Sequence, residues 1–437
     1  MGRIVETNCG KIRGVEQDGY MIYKGVPYAE PPIGKLRWCP PIKKEKWDGV
    51  LEACDWKNMC MQPPNDMPPY GHEFYSNVEY ERPMDEDCLY LHIWTPQEPG
   101  EYPVAIWFHG GAFIAGYSSE IEFDGAEYAR RGVIFVSVEY RCNIFGFLCH
   151  PWLTEESPYK TSGNYGILDQ FCAIEWVHKN ISAFGGDPAN ITIFGQSAGA
   201  MSVQTIVSSP MSKGLISKAI MQSGGSYKEG LHNDLDMHRA EKFGLVLSDM
   251  LQVHSLEELR AVKAETLLEI FPQYSERIAK EFDGLFLIPV MDGQVLTKGY
   301  YQAMDEGEIL DIPYMLGSTK NDILCPPDSD KEDSVLYRGT KAFSQKLEML
   351  GRKGAFVYRF SHDLPGDDLG AWHSSELWYM FGTLGRCWRN FSEYDKELSN
   401  RMLDYWTNFM KYGTPNFDRL DTWRPCTLED AFVMELS

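Results

Sequence analysis

Nothing in this chain is built for a polyanion. Its densest basic run, Lys43–Lys46, is already interrupted by Glu45, and 41 Lys+Arg against 63 Asp+Glu leave a net charge of −22. Neutralising phosphates takes a clustered basic surface, so the composition argues against nucleic acid as a partner. An anionic lipid surface would repel the chain for the same reason. No apolar stretch reaches the roughly 18 residues that span a bilayer. The start, MGRIVETNCGKIRG, has no apolar segment after its basic residue, Glu6 stands where a myristoylation motif needs Ser or Thr, and the final MELS is no prenylation box. The expectation is a cytoplasmic protein with no membrane association. None of the eleven cysteines forms a CxxC, and no Cys/His group has zinc spacing, so neither a redox motif nor a metal site is expected. The cysteines read as small buried hydrophobes in a reducing compartment. Repeats, low-complexity tracts and Ser/Gly linkers are absent too.

What the chain has is core material: 43% hydrophobic and 13% aromatic residues over 437 positions. Short, nearly continuous apolar runs at Val104–Phe108, Val133–Val138, Ile191–Phe194, Ala219–Gln222, Tyr314–Gly317 and Ala355–Phe360 predict strands buried on both faces. Helical patterns lie between and after them, at Tyr165–Asn180, Ala198–Ser208 and Ser392–Lys411. Strand alternating with helix implies a mostly parallel sheet covered by helices, one large α/β domain rather than three. Two regions depart from the pattern. Alternating runs at Lys11–Val15 and Tyr20–Lys24 suggest a small antiparallel sheet at the entrance, and Lys228 to about Arg277 is a charged helical insertion, either a cap or a packing element.

Gly195-Gln196-Ser197-Ala198-Gly199 matches GxSxG. The motif alone is weak, but here it follows a strand and opens a helix, the setting of a nucleophile elbow. The helix N-terminus behind Ser197 favours developing negative charge. A second motif, His109-Gly110-Gly111-Ala112-Phe113, follows the strand Val104–Phe108. Successive glycines can aim backbone N–H groups at one point, which a tetrahedral oxyanion requires. Gly110, Gly111 and Ala198 are the candidate donors, while His109 orders the loop. A serine nucleophile needs a base and an acid, which follow it in the chain in the order acid then base. Five of the ten histidines follow Ser197. His232, His238 and His254 fall in the charged insertion and read as surface residues, leaving His362 and His373 as rivals. For the acid, Asp322 lies just past the strand Tyr314–Gly317, at the strand end where ligand-facing groups cluster. Asp311 and Asp328 are placed less well.

Taken together, these motifs resemble the type-B carboxylesterase family, which includes cholinesterases and bacterial para-nitrobenzyl esterases. The likeness runs through nearly the whole chain: Tyr23–Pro32, Leu36-Arg37-Trp38, Glu86–Leu91, Gly163–Gln170, Phe184–Pro188, Lys213-Gly214 and Gln222-Ser223-Gly224. The resemblance implies a single α/β-hydrolase domain over residues 1–437, with a central mostly parallel mixed sheet and a helical insertion at about 228–277. It implies a serine esterase with Ser197 as nucleophile, Asp322 as acid, His373 as base, and Gly110, Gly111 and Ala198 as oxyanion hole. A small-molecule ester is the expected substrate and no cofactor is expected. Arg37 and Glu86 match a structural pair. Cys60 and Cys88 match a disulfide of secreted relatives, expected to be reduced here.

Some positions depart from the family. Asp322 stands where Glu is frequent, so its loop must approach His373 more closely. Gln196 replaces a common Glu. The loop 61–87 has no Trp to hold a quaternary ammonium by cation–π contact, but offers Tyr70, Phe74, Tyr75 and Tyr80. Lipase, amide or thioester hydrolysis would use the same machinery. A non-catalytic adhesion module is the rival from another class.

Overall fold

The computed structural model describes residues 2–325, 330–417 and 419–437. Its strands, in chain order, are β1 (Ile4–Glu6), β2 (Lys11–Arg13), β3 (Val15–Gln17), β4 (Tyr20–Pro27), β5 (Val50–Glu52), β6 (Tyr90–Pro96), β7 (Tyr102–Phe108), β8 (Ile134–Val138), β9 (Gly186–Gln196), β10 (Lys218–Gln222), β11 (Tyr314–Thr319), β12 (Phe356–Phe360) and β13 (Met434–Leu436). Ten of them form one sheet in the order β13-β12-β11-β10-β9-β7-β8-β6-β4-β3. Pairing is parallel from β8 through β7 to β13, and antiparallel along the β6-β4-β3 edge.

The apolar runs build two cores because successive strand residues face opposite sides. Val104, Ile106 and Phe108 of β7 enter one cluster together with Ile191, Ile193, Ala219, Met221 and Leu316. Ala105 and Trp107 enter the other with Phe194, Ile220 and Met315. Helices Tyr165–Asn180 and Ala198–Ser208 cover the first face through residues such as Phe171 and Val203. The long helix Glu393–Tyr412 covers the second through Leu398, Met402 and Trp406. Each such fully buried side chain stabilises the fold by about 2 kcal/mol relative to exposure. Ser392 caps the long helix: its N–H donates to Asp395 at 2.7 Å, while its hydroxyl accepts from the Asp395 N–H.

The N-terminal expectation needs correcting. Tyr20–Lys24 does not belong to a small sheet. As part of β4 it is buried and pairs with β6, with an irregularity between Tyr23 and Val26 that broke its apolar run. The small sheet is β1-β2-β5, and it is mixed, because β5 runs parallel to β2. Nor does it stand at the site entrance. Asn8 N–H donates to Asn180 Oδ1 at 2.8 Å, which sets this sheet beside the turn Ile181–Phe184 that leads into β9, at the end away from Ser197.

The charged region folds as helices Met237–Leu251, Leu256–Ala261 and Ala264–Ala279. Arg37 ties this region to the N-terminal part: it pairs with Glu86 at 2.5 Å and donates to the carbonyls of Arg260 and Val262. Among the described residues, no helix is long and apolar enough to cross a membrane.

Candidate active site

At the C-terminal end of β9 the chain reverses into the helix Ala198–Ser208, and Ser197 is the pivot. Its φ of 56° and ψ of −123° lie in a region that L side chains seldom adopt. The flanking glycines make the turn possible: a Cβ on Gly199 would lie 2.0 Å from the Phe108 carbonyl oxygen, and one on Gly195 would lie 2.5 Å from the Gly199 carbonyl carbon. Ser197 N–H donates to Gln222 O at 2.9 Å, pinning the elbow to β10.

Next to it, β7 ends in the loop of His109, Gly110 and Gly111. Gly111 has a φ of 95° and no room for a Cβ, which would meet Ala115 O at 1.9 Å. The backbone N–H groups of Gly110, Gly111 and Ala198 donate to no acceptor among the described residues. His109 is fully buried, stacked on Tyr140 at 4.3 Å, with Nδ1 at 2.9 Å from Gly110 O. Burial pushes its imidazole down to about 4. It sits where it shapes the loop.

Asp322 and His373 meet although β12 lies between them in sequence. Asp322 follows β11, and its loop is stitched to the His373 loop: Asn321 N–H donates to Ala371 O at 2.9 Å, and Asn321 Oδ1 accepts from Ala371 N–H at 3.1 Å. That brings the shorter carboxylate into reach. His373 Nδ1 is 2.5 Å from Asp322 Oδ1. Oδ1 also accepts from Ile323 N–H at 2.9 Å, and Oδ2 accepts from Ser223 Oγ at 2.7 Å and Thr319 N–H at 2.9 Å. Burial alone would raise the Asp322 carboxyl, but His373 and these donors more than offset it and hold it below its usual value.

The other face of His373 holds a contact the sequence did not disclose. Nε2 is 3.2 Å from Gln196 Nε2, and no hydrogen bond joins it to Ser197. With the Nδ1 proton given to Asp322, the Gln196 amide donates to the same lone pair that would receive the serine proton. Glu376, fully buried nearby, is raised to about 7, first by burial and then by the charge of Asp322.

A cavity of about 310 Å³ joins these groups. Ser197, His373, Gly110 and Gly111 line it, with Tyr70, Phe74 and Tyr75 from the loop 61–87 and Glu120, Glu122 and Phe123 from the segment after the glycine loop. Tyr80 lines a separate cleft. No residue of the charged helical region lines the cavity among the described residues.

The rival residues lie elsewhere or outside the description. His362 Nε2 is held 2.8 Å from Asp395 at the cap of the long helix. His238 and His254 are exposed. The surface assignment of His232 is corrected: it is 7% exposed and packs on Tyr300 at 4.2 Å, a partner 68 residues away that the local charge pattern could not disclose. Asp311 pairs loosely with Arg352 at 3.9 Å, and Asp328 lies outside the described residues. Cys60 and Cys88 are buried free thiols. Among the described residues, no group of three or more His, Cys, Asp or Glu could hold a metal ion.

The sequence named Gln196 and Ser223 without their contacts to His373 and Asp322, and Glu120, Glu122 and Glu376 were missed. Ser223 was visible within Gln222-Ser223-Gly224, but nothing local tied it to a carboxylate 99 positions on.

Comparison with known proteins gives consistent matches. A model of the carboxylesterase family matches residues 2–333 and 330–437. The chain is 32% identical to the para-nitrobenzyl esterase of Bacillus subtilis (strain 168), over 96% of this chain and 92% of that protein. It is 30% identical to the fumonisin B1 esterase of Sphingopyxis macrogoltabida, over 95% and 83%. Among solved structures it superposes on a PNB esterase with a TM-score of 0.87 at 30% identity, covering 100% of this chain and 96% of the other.

Proposed function

Because this chain belongs to the carboxylesterase family, with an α/β-hydrolase fold and carboxylic ester hydrolysis as its activity, we propose that it cleaves its ester through an acyl-enzyme on Ser197. His373 removes the serine proton, Ser197 attacks the ester carbonyl, and the oxyanion rests on the N–H groups of Gly110, Gly111 and Ala198. Asp322 fixes the imidazole tautomer and stabilises the imidazolium. His373 then protonates the departing alcohol, and a water activated by the same imidazole releases the acid.

The observation that carries this reading is the convergence of three parts on one cavity: a strained serine, a histidine bonded to a buried carboxylate at 2.5 Å, and the glycine loop, where the N–H groups of Gly110 and Gly111 donate to no acceptor among the described residues. Gln196 has a part in the cycle too. When the hydroxyl of Ser197 turns to Nε2, the Gln196 amide must give way, so substrate binding completes the serine–histidine contact. The cavity volume suits a small to medium ester.

The test is labelling with a fluorophosphonate together with turnover of a short-chain nitrophenyl ester. Ser197→Ala should lose both label and turnover; a variant that keeps its full rate would refute the assignment.

A further inference from the structure

Two carboxyl groups on the cavity wall take no part in the chemistry above. Glu120 and Glu122 are 4% and 1% exposed, and both line the cavity of Ser197. Glu120 accepts from Tyr117 N–H at 2.8 Å. Glu122 Oε2 is buried and accepts no hydrogen bond. No Lys or Arg lines the cavity among the described residues, and neither glutamate has an ion-pair partner. The rest of this wall is aromatic: Phe74, Tyr75 and Phe123.

A carboxylate removed from water without a cation or a donor is costly. Two of them side by side cost more, because each charge opposes the other. Burial raises Glu120 to about 7, and burial followed by the charge of Glu120 raises Glu122 well above its ordinary value. Hydrogen bonds from the Tyr75 side chain and the Tyr117 N–H relieve Glu120 in part, but Glu122 Oε2 is left without a donor, and Glu73, itself ion-paired with Arg389, adds negative charge. Taking up a proton would relieve the repulsion but would leave Glu122 Oε2 without a donor. An ammonium group would satisfy the pair better, carrying a full charge and several N–H donors into an aromatic-walled space.

We propose that Glu120 and Glu122 form a subsite for a cationic nitrogen on the ester, so that the preferred substrates are esters carrying an amine in their acyl or alcohol half. The inference rests on Ser197 being the nucleophile of the same cavity. The long-range field of a chain with net charge −22 acts in the same direction, drawing cations toward the site.

The test compares nitrophenyl esters of an ω-amino acid with esters in which a methyl or a hydroxyl replaces the ammonium, and repeats the comparison with acetates of the matching ω-amino alcohol. In the wild-type protein, kcat/KM for the ammonium ester should exceed that of both analogues by about tenfold or more in at least one half. In Glu122→Gln that preference should fall toward unity. Equal or better turnover of the methyl ester in both halves overturns the proposal. So does a hydroxyl ester that matches the ammonium ester, since charge would then not be recognised, or a preference that survives Glu122→Gln. Should the variant not fold, competitive inhibition of the wild type decides: an alkylammonium ion must bind more tightly than the alkanol of the same length. Ser197→Ala keeps the two readings apart. Ester turnover surviving in it refutes the nucleophile, whereas its loss alongside a flat preference refutes only the cation subsite.

Discussion

Replacing Asp322 by Asn probes the base and its support in one step. The carboxylate accepts four hydrogen bonds, two on each oxygen. An amide has one acceptor oxygen, so each orientation fails differently. With NH₂ in place of Oδ1, it faces His373 Nδ1 and Ile323 N–H; the imidazole must then carry its proton on Nε2, the wrong tautomer for a base. With NH₂ in place of Oδ2, it confronts Thr319 N–H, and the imidazolium formed in the reaction still loses its counter-charge. Opposite charges about 4 Å apart at an effective dielectric near 20 attract by about 4 kcal/mol, roughly a thousandfold in rate. The tautomer error brings the expected loss in kcat to about 10³- to 10⁴-fold. A backbone N–H left facing NH₂ should also cost about 1–3 kcal/mol of stability. Steady-state kinetics on a nitrophenyl ester, with a thermal melt to establish folding, measures both. A folded variant within tenfold of wild-type kcat would refute the argument that Asp322 sets the tautomer and charge of His373.

Gly110→Ala should lower kcat about 10²-fold, because the added Cβ would lie 3.0 Å from Gln196 O and 3.3 Å from Ser197 Cβ, in the space the oxyanion needs; unchanged kcat would argue against that loop as the oxyanion hole. Asp395→Asn should destabilise the protein by about 1 kcal/mol at pH 7 through the helix cap. Burial opposes the Asp395 charge, but hydrogen bonds from Ser392, Tyr379 and His362 overcome it and hold the carboxyl at about 2. A depressed folded value confers stability above the unfolded value near 4 that is lost as pH falls. The wild-type advantage in denaturant titrations should therefore shrink between about pH 4 and pH 2, and a constant gap across that range would contradict this account.

Ser197 was legible in the sequence because everything that makes the elbow is local: a buried strand, a helix, and two glycines where Cβ atoms cannot fit. The interior strands were legible because they are short and buried on both faces. β4 was not, since Gly25 and the irregularity after Tyr23 interrupt its apolar run, and its pairing with β6 spans some seventy residues. Motif resemblance and strand-end position singled out Asp322 and His373, which the fold brings within 2.5 Å of each other, whereas the atoms that orient them were not legible. Ser223 reaches Asp322, and Gln196 reaches His373, through tertiary folding alone. Nothing local in Tyr117–Phe123 marks Glu120 and Glu122 as buried; the fold sets them on the cavity wall.

The stitch between Asn321 and Ala371 has a mechanical consequence. The carboxylate and the imidazole stand on two loops separated by a helix and a strand, yet the cross-brace makes them one part. Thermal displacement of either loop carries its partner along, so the separation of the two groups fluctuates less than the position of either. The spacing of the two groups therefore depends on this brace as well as on the sheet beneath it, and Asn321 is where the brace would be lost.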